Sequence, residues 1–323
     1  MDEKKLAKQL RRITIITIIG SLLLSAIGFG IFGYIMKSAH EAEHAQLQAE
    51  TAEYKERLLR QMDKNLQILT TLSKAYEVST ITDDPRQLGQ SLMETNAAND
   101  FVSMVYMRKD GTGLMHTTES GEVEAITMDD LHPYAVEVME SALQGKNTIS
   151  KIFRSQALDE KIFVYAVPVF ENGEVVGALA AGDTINIFTD ATDGKTVMGG
   201  AGYLHLIADN GMFLVRSENT LVDEEMKNLY EGDVFSEQTK EEMRAALEKG
   251  ESVCGEYTYE GNRMHFYLVP LDVNGWYLFC ANKVWGSSAS LGDALTIFDH
   301  LWRAYDIDAD PHECAALQRT PCL

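Results

Sequence analysis

The sequence predicts an α+β protein: an N-terminal transmembrane helix, a long stalk helix, then two tandem five-stranded antiparallel sheet domains. Three observations carry this. Residues 13–36 contain no charged side chain. Residues 37–77 contain neither Gly nor Pro. After that the chain repeats itself: "YAVPVFENG" from Tyr165 returns as "YLVPLDVNG" from Tyr267.

The apolar run comes first. "ITIITIIGSLLLSAIGFGIFGYIM" has 24 residues, which as a helix spans ~36 Å against a hydrocarbon core of ~30 Å. A cleaved secretory signal has a shorter apolar core, although Ala26-Ile27-Gly28 resembles a cleavage site. An uncleaved anchor is therefore expected. Five Lys/Arg within residues 1–12 place that end in the cytoplasm and everything after Met36 outside. The expectation is a single pass through the plasma membrane.

Bulk composition narrows the rest. The formal net charge is −21, a balance that repels nucleic-acid phosphates, so no nucleic-acid partner is expected. Four Cys in 323 residues do not make a disulfide framework, and no C-x-x-C pair marks a zinc site.

The stalk is read over 37–89. Leu58, Met62, Leu66, Leu69 and Leu72 form one apolar stripe at helical spacing. The first half is polar all round and reads as solvated. The stripe also suits a dimer seam, so a homodimer is a candidate partner. His40 and His44 lie four apart, a spacing that can hold a metal. No third ligand is near in sequence, so they read as a polar face; neither metal nor cofactor is expected.

Asp84-Pro85 opens a further helix. "FVSMVYMR" and "TGLMHTT" are strands joined at Asp110-Gly111. "TMDDLHPYAVEVMESALQG" is a helix stopped at Gly145. "TISKIFRS", "KIFVYAVPVFENG" and "EVVGALAAGD" are three more strands. The second half repeats the order: a hairpin at Asn210-Gly211, helices in "DEEMKNLY" and "SEQTKEEMRAALEKG", then three strands through "SVCGEYTYEGNRMHFYLVPLDVNGWYLFCAN". A period of about one hundred residues is a duplicated domain rather than a solenoid. Boundaries are expected at 90–188 and 189–283, with an atypical tail over 284–323.

With its anchor, stalk and repeated strands ("ALQGKNTIS", "FVYAVPVFENGEVVGALAAGD", "ALEKGESVCGEY", "FYLVPLDVNGWYLF"), the chain resembles the double Cache family over roughly residues 10–283. These are PAS-like extracytoplasmic sensor domains of bacterial transmembrane receptors. The resemblance implies a small-molecule ligand in the membrane-distal domain. It also implies an output of diguanylate cyclase, histidine kinase or chemoreceptor type. No second span or output is evident in residues 284–323, and a truncation or frameshift near Val284 would account for that.

Family members that bind amino acids carry Arg-x-Trp-Tyr on the helix, Tyr-x-Asp on the third strand and a final Asp. The best register here keeps Tyr134 and Asp183. It places Leu131, Pro133, Phe153 and Ser155 at the other positions. Leu cannot clamp a carboxylate as Arg does, so the ligand is expected to bind without the standard amino-acid motif. Arg154 sits one residue from the motif position, on the opposite strand face. Tyr106, His116, Phe163 and Tyr165 lie on strands that wall the pocket in this architecture. The candidate ligand residues are thus Tyr106, His116, Tyr134, Phe153, Arg154, Phe163, Tyr165 and Asp183.

Competing classes are weaker. No G-x-S-x-G or P-loop occurs, and no catalytic residues are proposed. The alternatives are a membrane-anchored adhesion or scaffold protein and, behind it, an extracellular hydrolase.

Overall fold

The computed structural model describes residues 3–77, 84–190, 202–216 and 226–284. One continuous helix, α1 (Glu3–Glu77, 75 residues), runs through both the apolar run and the stalk. Side chains of the apolar run face outward: Leu24 is 72% and Phe29 77% exposed. The helix is long and apolar enough there to cross a membrane.

The stalk half of α1 is buried along one face. Leu47, Thr51, Tyr54, Leu58, Met62, Asn65 and Leu69 recur at three and four and are all buried, one stripe of a 3.6-residue period. Leu66 and Leu72 flank it, partly buried. The expectation that the first half is solvated is therefore corrected. Leu47, Thr51 and Tyr54 are few among polar neighbours, so the stripe is diluted in sequence while continuous in space.

Helix α2 (Pro85–Asn99) begins at Asp84, whose Oδ1 accepts from the Arg86 amide, with Pro85 in the first turn. The first sheet follows: β1 (Ser103–Arg108), β2 (Thr112–Thr117), β3 (Val123–Thr127), β4 (Thr148–Ile149), β5 (Phe153–Arg154), β6 (Lys161–Glu171) and β7 (Glu174–Thr184). Its order is β3-β2-β1-β7-β6-β4, with β5 also on β6. Seven strands stand where five were expected. β3 is a mostly exposed edge without an apolar run. "TISKIFRS" divides into β4 and β5, both short and both paired to β6. Between β3 and β4 lie a 3-10 turn (Met128–Asp130) and α3 (Pro133–Leu143). The central strands β6 and β7 are buried on both faces, which is why they read as continuous apolar runs.

A short helix, α4 (Asn186–Asp190), leaves the first sheet. The second sheet contains β8 (Gly202–Ile207), β9 (Phe213–Arg216), β10 (Val253–Tyr259), β11 (Asn262–Pro270) and β12 (Tyr277–Lys283), ordered β10-β11-β12-β8-β9. Helix α5 (Glu237–Lys249) is capped by Ser236 and stopped by Gly250 at φ 71°. The expected helix in "DEEMKNLY" is absent over residues 226–230. That segment is a turn with an isolated bridge, Met212 to Asn228; residues 223–225 lie outside the described residues. So do residues 285–323, and with them almost all of the expected tail.

The repeat is real at its turns. Asp110 Oδ1 accepts from the Thr112 amide beside Gly111, and Asn210 Oδ1 from the Met212 amide beside Gly211. Both glycines have φ above 80°, a backbone that side chains resist. The two sheets nevertheless share a layer. One apolar cluster joins the stalk to both, through Tyr165 and Phe163 on one side and Trp276 and Leu278 on the other. Phe163 and Trp276 meet edge to face at 5.9 Å. Asn274 Nδ2 donates to the Ile149 and Ser150 carbonyls, at 3.0 and 2.8 Å. Each sheet keeps a separate core on its other face. These are two modules built on one helix, not two independent bodies.

Candidate functional site

Strand alternation divides the candidate residues between the two faces of the first sheet. Tyr106, Phe163 and Tyr165 face the stalk and belong to its apolar cluster. His116 shares the face of Leu114, and its Nδ1 lies 3.1 Å from the Glu122 carbonyl. Asp183 also faces the stalk, where its Oδ2 accepts from Asn65 Nδ2 at 2.9 Å. Asn65 reaches the Tyr165 hydroxyl at 3.4 Å as well. Burial, and next the Asp183 charge, raise the Tyr165 phenol far above its ordinary value, so the phenol stays protonated.

The opposite face lies under α3. Val105, Ile162, Val164, Ala178 and Ala180 of the sheet pack there against Ala135, Val138 and Met139 of the helix. At the N-terminal end of α3 stands a polar and aromatic cluster. His132 caps the helix: its Nδ1 accepts from the Tyr134 amide at 3.2 Å. Its ring stacks on Phe153 with centroids 4.2 Å apart and planes 10° apart. Burial lowers the His132 pKa, which fits an imidazole that uses Nδ1 as an acceptor. Tyr134 is 38% exposed, and the Lys151 ammonium sits 5.9 Å from its ring centroid.

Tyr134 and Phe153 are therefore the two candidates brought together on the α3 side. Arg154 points away and pairs with Asp159 at 2.8 Å, on the surface. Ser155, at the expected Asp position, accepts from the Leu158 amide and shapes a turn. Leu131 packs into the α3 core. Sequence reasoning missed His132, Lys151 and Asn65. His132 carried one faint signal, its place directly before Pro133 at a helix start. Lys151 and Asn65 carried none.

A stalk helix that continues into an apolar segment, bearing two sheets with a helix-covered face on each, defines an extracytoplasmic ligand-binding sensor domain of the kind found in chemoreceptors and histidine kinases. The chain belongs to the Cache domain family, whose dCache_1 profile matches residues 35–283. Its structure is similar to the sensory domain of the Campylobacter jejuni chemoreceptor Tlp3 (CcmL), with TM-score 0.61 and 10% identity, covering 79% of this chain and 98% of that one. That domain is also known with isoleucine bound. It is similar too to the ligand-binding domain of the Pseudomonas aeruginosa PAO1 amino acid chemoreceptor PctB in complex with L-Arg, with TM-score 0.54, 17% identity and coverage of 78% and 97%. A third similar structure is the extracellular domain of a protein described as a histidine kinase, soHK1S-Z6, with TM-score 0.56, 14% identity and coverage of 76% and 96%. Identities this low carry the fold and nothing finer. No curated protein matches the chain. The Cache domain is a sensor module and not itself a catalyst.

Proposed function

We propose that this chain senses a small anionic molecule at the α3 side of its first sheet and reports it through the stalk. The observation that carries this is the cluster of His132, Tyr134, Lys151 and Phe153 at the N-terminal end of α3. A cation beside the positive end of a helix favours an anion. The stacked rings of His132 and Phe153 offer a flat apolar wall. The similar chemoreceptor domains noted above are known with isoleucine and with L-Arg bound. Here Leu131 and Ser155 replace the residues that would hold an amino acid at both ends, so the ligand class proposed is a small carboxylate held at one end.

The candidates on the other face take a different role in this reading. Asn65, Tyr165 and Asp183 tie the stalk to the sheet directly behind the ligand face. A ligand that prefers one spacing of α3 and sheet shifts the population of stalk positions. Residues 13–36 cross the plasma membrane once, basic end inside, and the receptor's output is of chemoreceptor, histidine kinase or diguanylate cyclase type.

A thermal-shift screen of the full chain in detergent tests the ligand site. Carboxylates, amino acids, amines and purines are compared at millimolar concentration. At one hundred times Kd a ligand stabilises by ~2.7 kcal/mol, which raises Tm by several degrees. A carboxylate is expected to do so, and Tyr134→Ala with Lys151→Ala is expected to abolish the shift. If Asp183→Asn abolishes it while the Tyr134 and Lys151 variants respond normally, the site lies on the stalk face and the reading fails.

A further inference from the structure

Away from the first sheet, the membrane end of the stalk brings three histidines and a carboxylate together. His40 and His44 share one face of α1, four residues apart. Both are half-buried rather than solvated, because the second sheet lies against them. Cross-strand pairing sets Glu256 of β10 opposite His265 of β11. His40 Nε2 is 2.9 Å from Glu256 Oε1, and His265 Nε2 is 3.1 Å from the same oxygen. The ligand atoms of His40, Glu256 and His265 all lie within 4.8 Å of one another. The His44 ring centroid is 5.2 Å from that of His265.

We propose that His40, His44, His265 and Glu256 form a binding site for a divalent transition metal, zinc being the best fit, which clamps the stalk to the second sheet where it leaves the membrane. Tetrahedral zinc with imidazole and carboxylate ligands at about 2.0–2.1 Å spaces its ligand atoms about 3.3 Å apart. The His40 and His265 nitrogens, at 2.9 and 3.1 Å from the Glu256 oxygen, are already close to that figure. Imidazole nitrogen with one carboxylate is also a donor set that zinc takes in preference to calcium or magnesium.

A second observation points to a ligand. His265 is fully buried, yet its Nδ1 has no hydrogen-bond partner. Its cross-strand neighbour on β12 is Asn282, itself 2% exposed, whose Oδ1 has none either. Two orphaned polar atoms side by side in a buried face are costly. Metal on Nε2 would fix Nδ1 as the N–H donor, and Asn282 Oδ1 is the adjacent acceptor, the usual outer support of a metal-bound histidine. Glu256 has its own support: Arg263 Nε donates to Oε2 at 2.6 Å and leaves Oε1 turned toward the histidines. The site needs the fold, since its residues come from the stalk and two distant strands; the pair in sequence alone showed two ligands.

The test uses the full chain in detergent and zinc ion alone, titrated in competition with a chromophoric chelator. One zinc per chain with submicromolar Kd is expected, and X-ray absorption should show nitrogen and oxygen neighbours at about 2.0–2.1 Å. His265→Gln should weaken binding at least 100-fold. Should that variant misfold, His40→Ala with His44→Ala on the half-exposed helix face should do the same. Cys254→Ser, an exposed thiol on the strand of Glu256, should change Kd less than twofold. Absence of stoichiometric zinc, or zinc held equally well by the double histidine variant, overturns the proposal.

Discussion

The buried histidines show how single residues set the pH behaviour of the molecule. His205 is 1% exposed and stacks at 6.0 Å on Phe279. Burial first, and the Arg216 charge second, push its pKa down from 6.5 to about 3. The native state therefore keeps it neutral while the unfolded chain takes up a proton as pH falls below about 6.5. Its contribution is fully present above that value and is lost progressively down to about 3. The loss is at most about 1.4 kcal/mol per pH unit, the limit for one proton. Urea unfolding at pH 7.5 and 5.5 should show the parent losing more stability than His205→Phe. Equal slopes would remove His205 from the account. The same scale explains what site prediction lacked. Tyr134 and Phe153 were placed through the family's motif register, and both lie against the His132 ring at the start of α3. Asp183 was legible as a carboxylate at a strand end and Tyr165 as a tyrosine within a strand. Which face they served depends on strand register, and a shift of one residue reverses it. Their partner, Asn65, lies on another element, 100 and 118 residues away.

At the scale of elements, the duplicated turns have diverged in use. Asn172 and Asn274 both adopt positive φ, 50° and 51°. Asn172 closes a two-residue hairpin between β6 and β7 and is exposed. Asn274 sits in a longer loop, and its amide clips that loop to β4 and the residue after it. Both positions share the backbone cost of a left-handed residue. Only Asn274→Ala also leaves two carbonyls without their donor, a further ~1–3 kcal/mol. Thermal melts should show Asn274→Ala several degrees below Asn172→Ala; equal Tm values would mean the clip contributes nothing. Elements with strong local signals were readable: α2 from Asp84-Pro85, α5 from Ser236 and Gly250, and β6 and β7 from their apolar runs. β3 was not, because an edge strand that buries only Ile126 has no pattern to show. "DEEMKNLY" misled through its helix-favouring composition, which a turn bridging Met212 and Asn228 overrides.

At the scale of the molecule, α1 orders everything else. His40, Leu47 and Tyr54 meet the second sheet, Cys280 and the α4 region. Leu58, Met62 and Leu69 continue into the shared core, and Asn65 meets the first sheet. From Met36 to Asn65 is about 44 Å along a helix axis. The first sheet is thus the distal module, and the second is beside the apolar segment. Contacts between the stalk and the second sheet, the His40 cluster among them, lie between Asn65 and residue 36. The tandem repeat and the family resemblance were legible from sequence. The shared core was not, since it arises from the stalk faces of both sheets meeting Phe163 and Trp276.

We propose that both sheets lie outside the cell on an uncleaved anchor, and labelling of a single cysteine decides it. Cys254 is exposed, whereas Cys280 is buried with its thiol pushed up to about 12, hence inert. With Cys314→Ser and Cys322→Ser in place, a membrane-impermeant maleimide should label Cys254 in intact cells, on a membrane-bound full-length chain. Labelling only after lysis, or a labelled chain released without residues 1–36, would contradict the account.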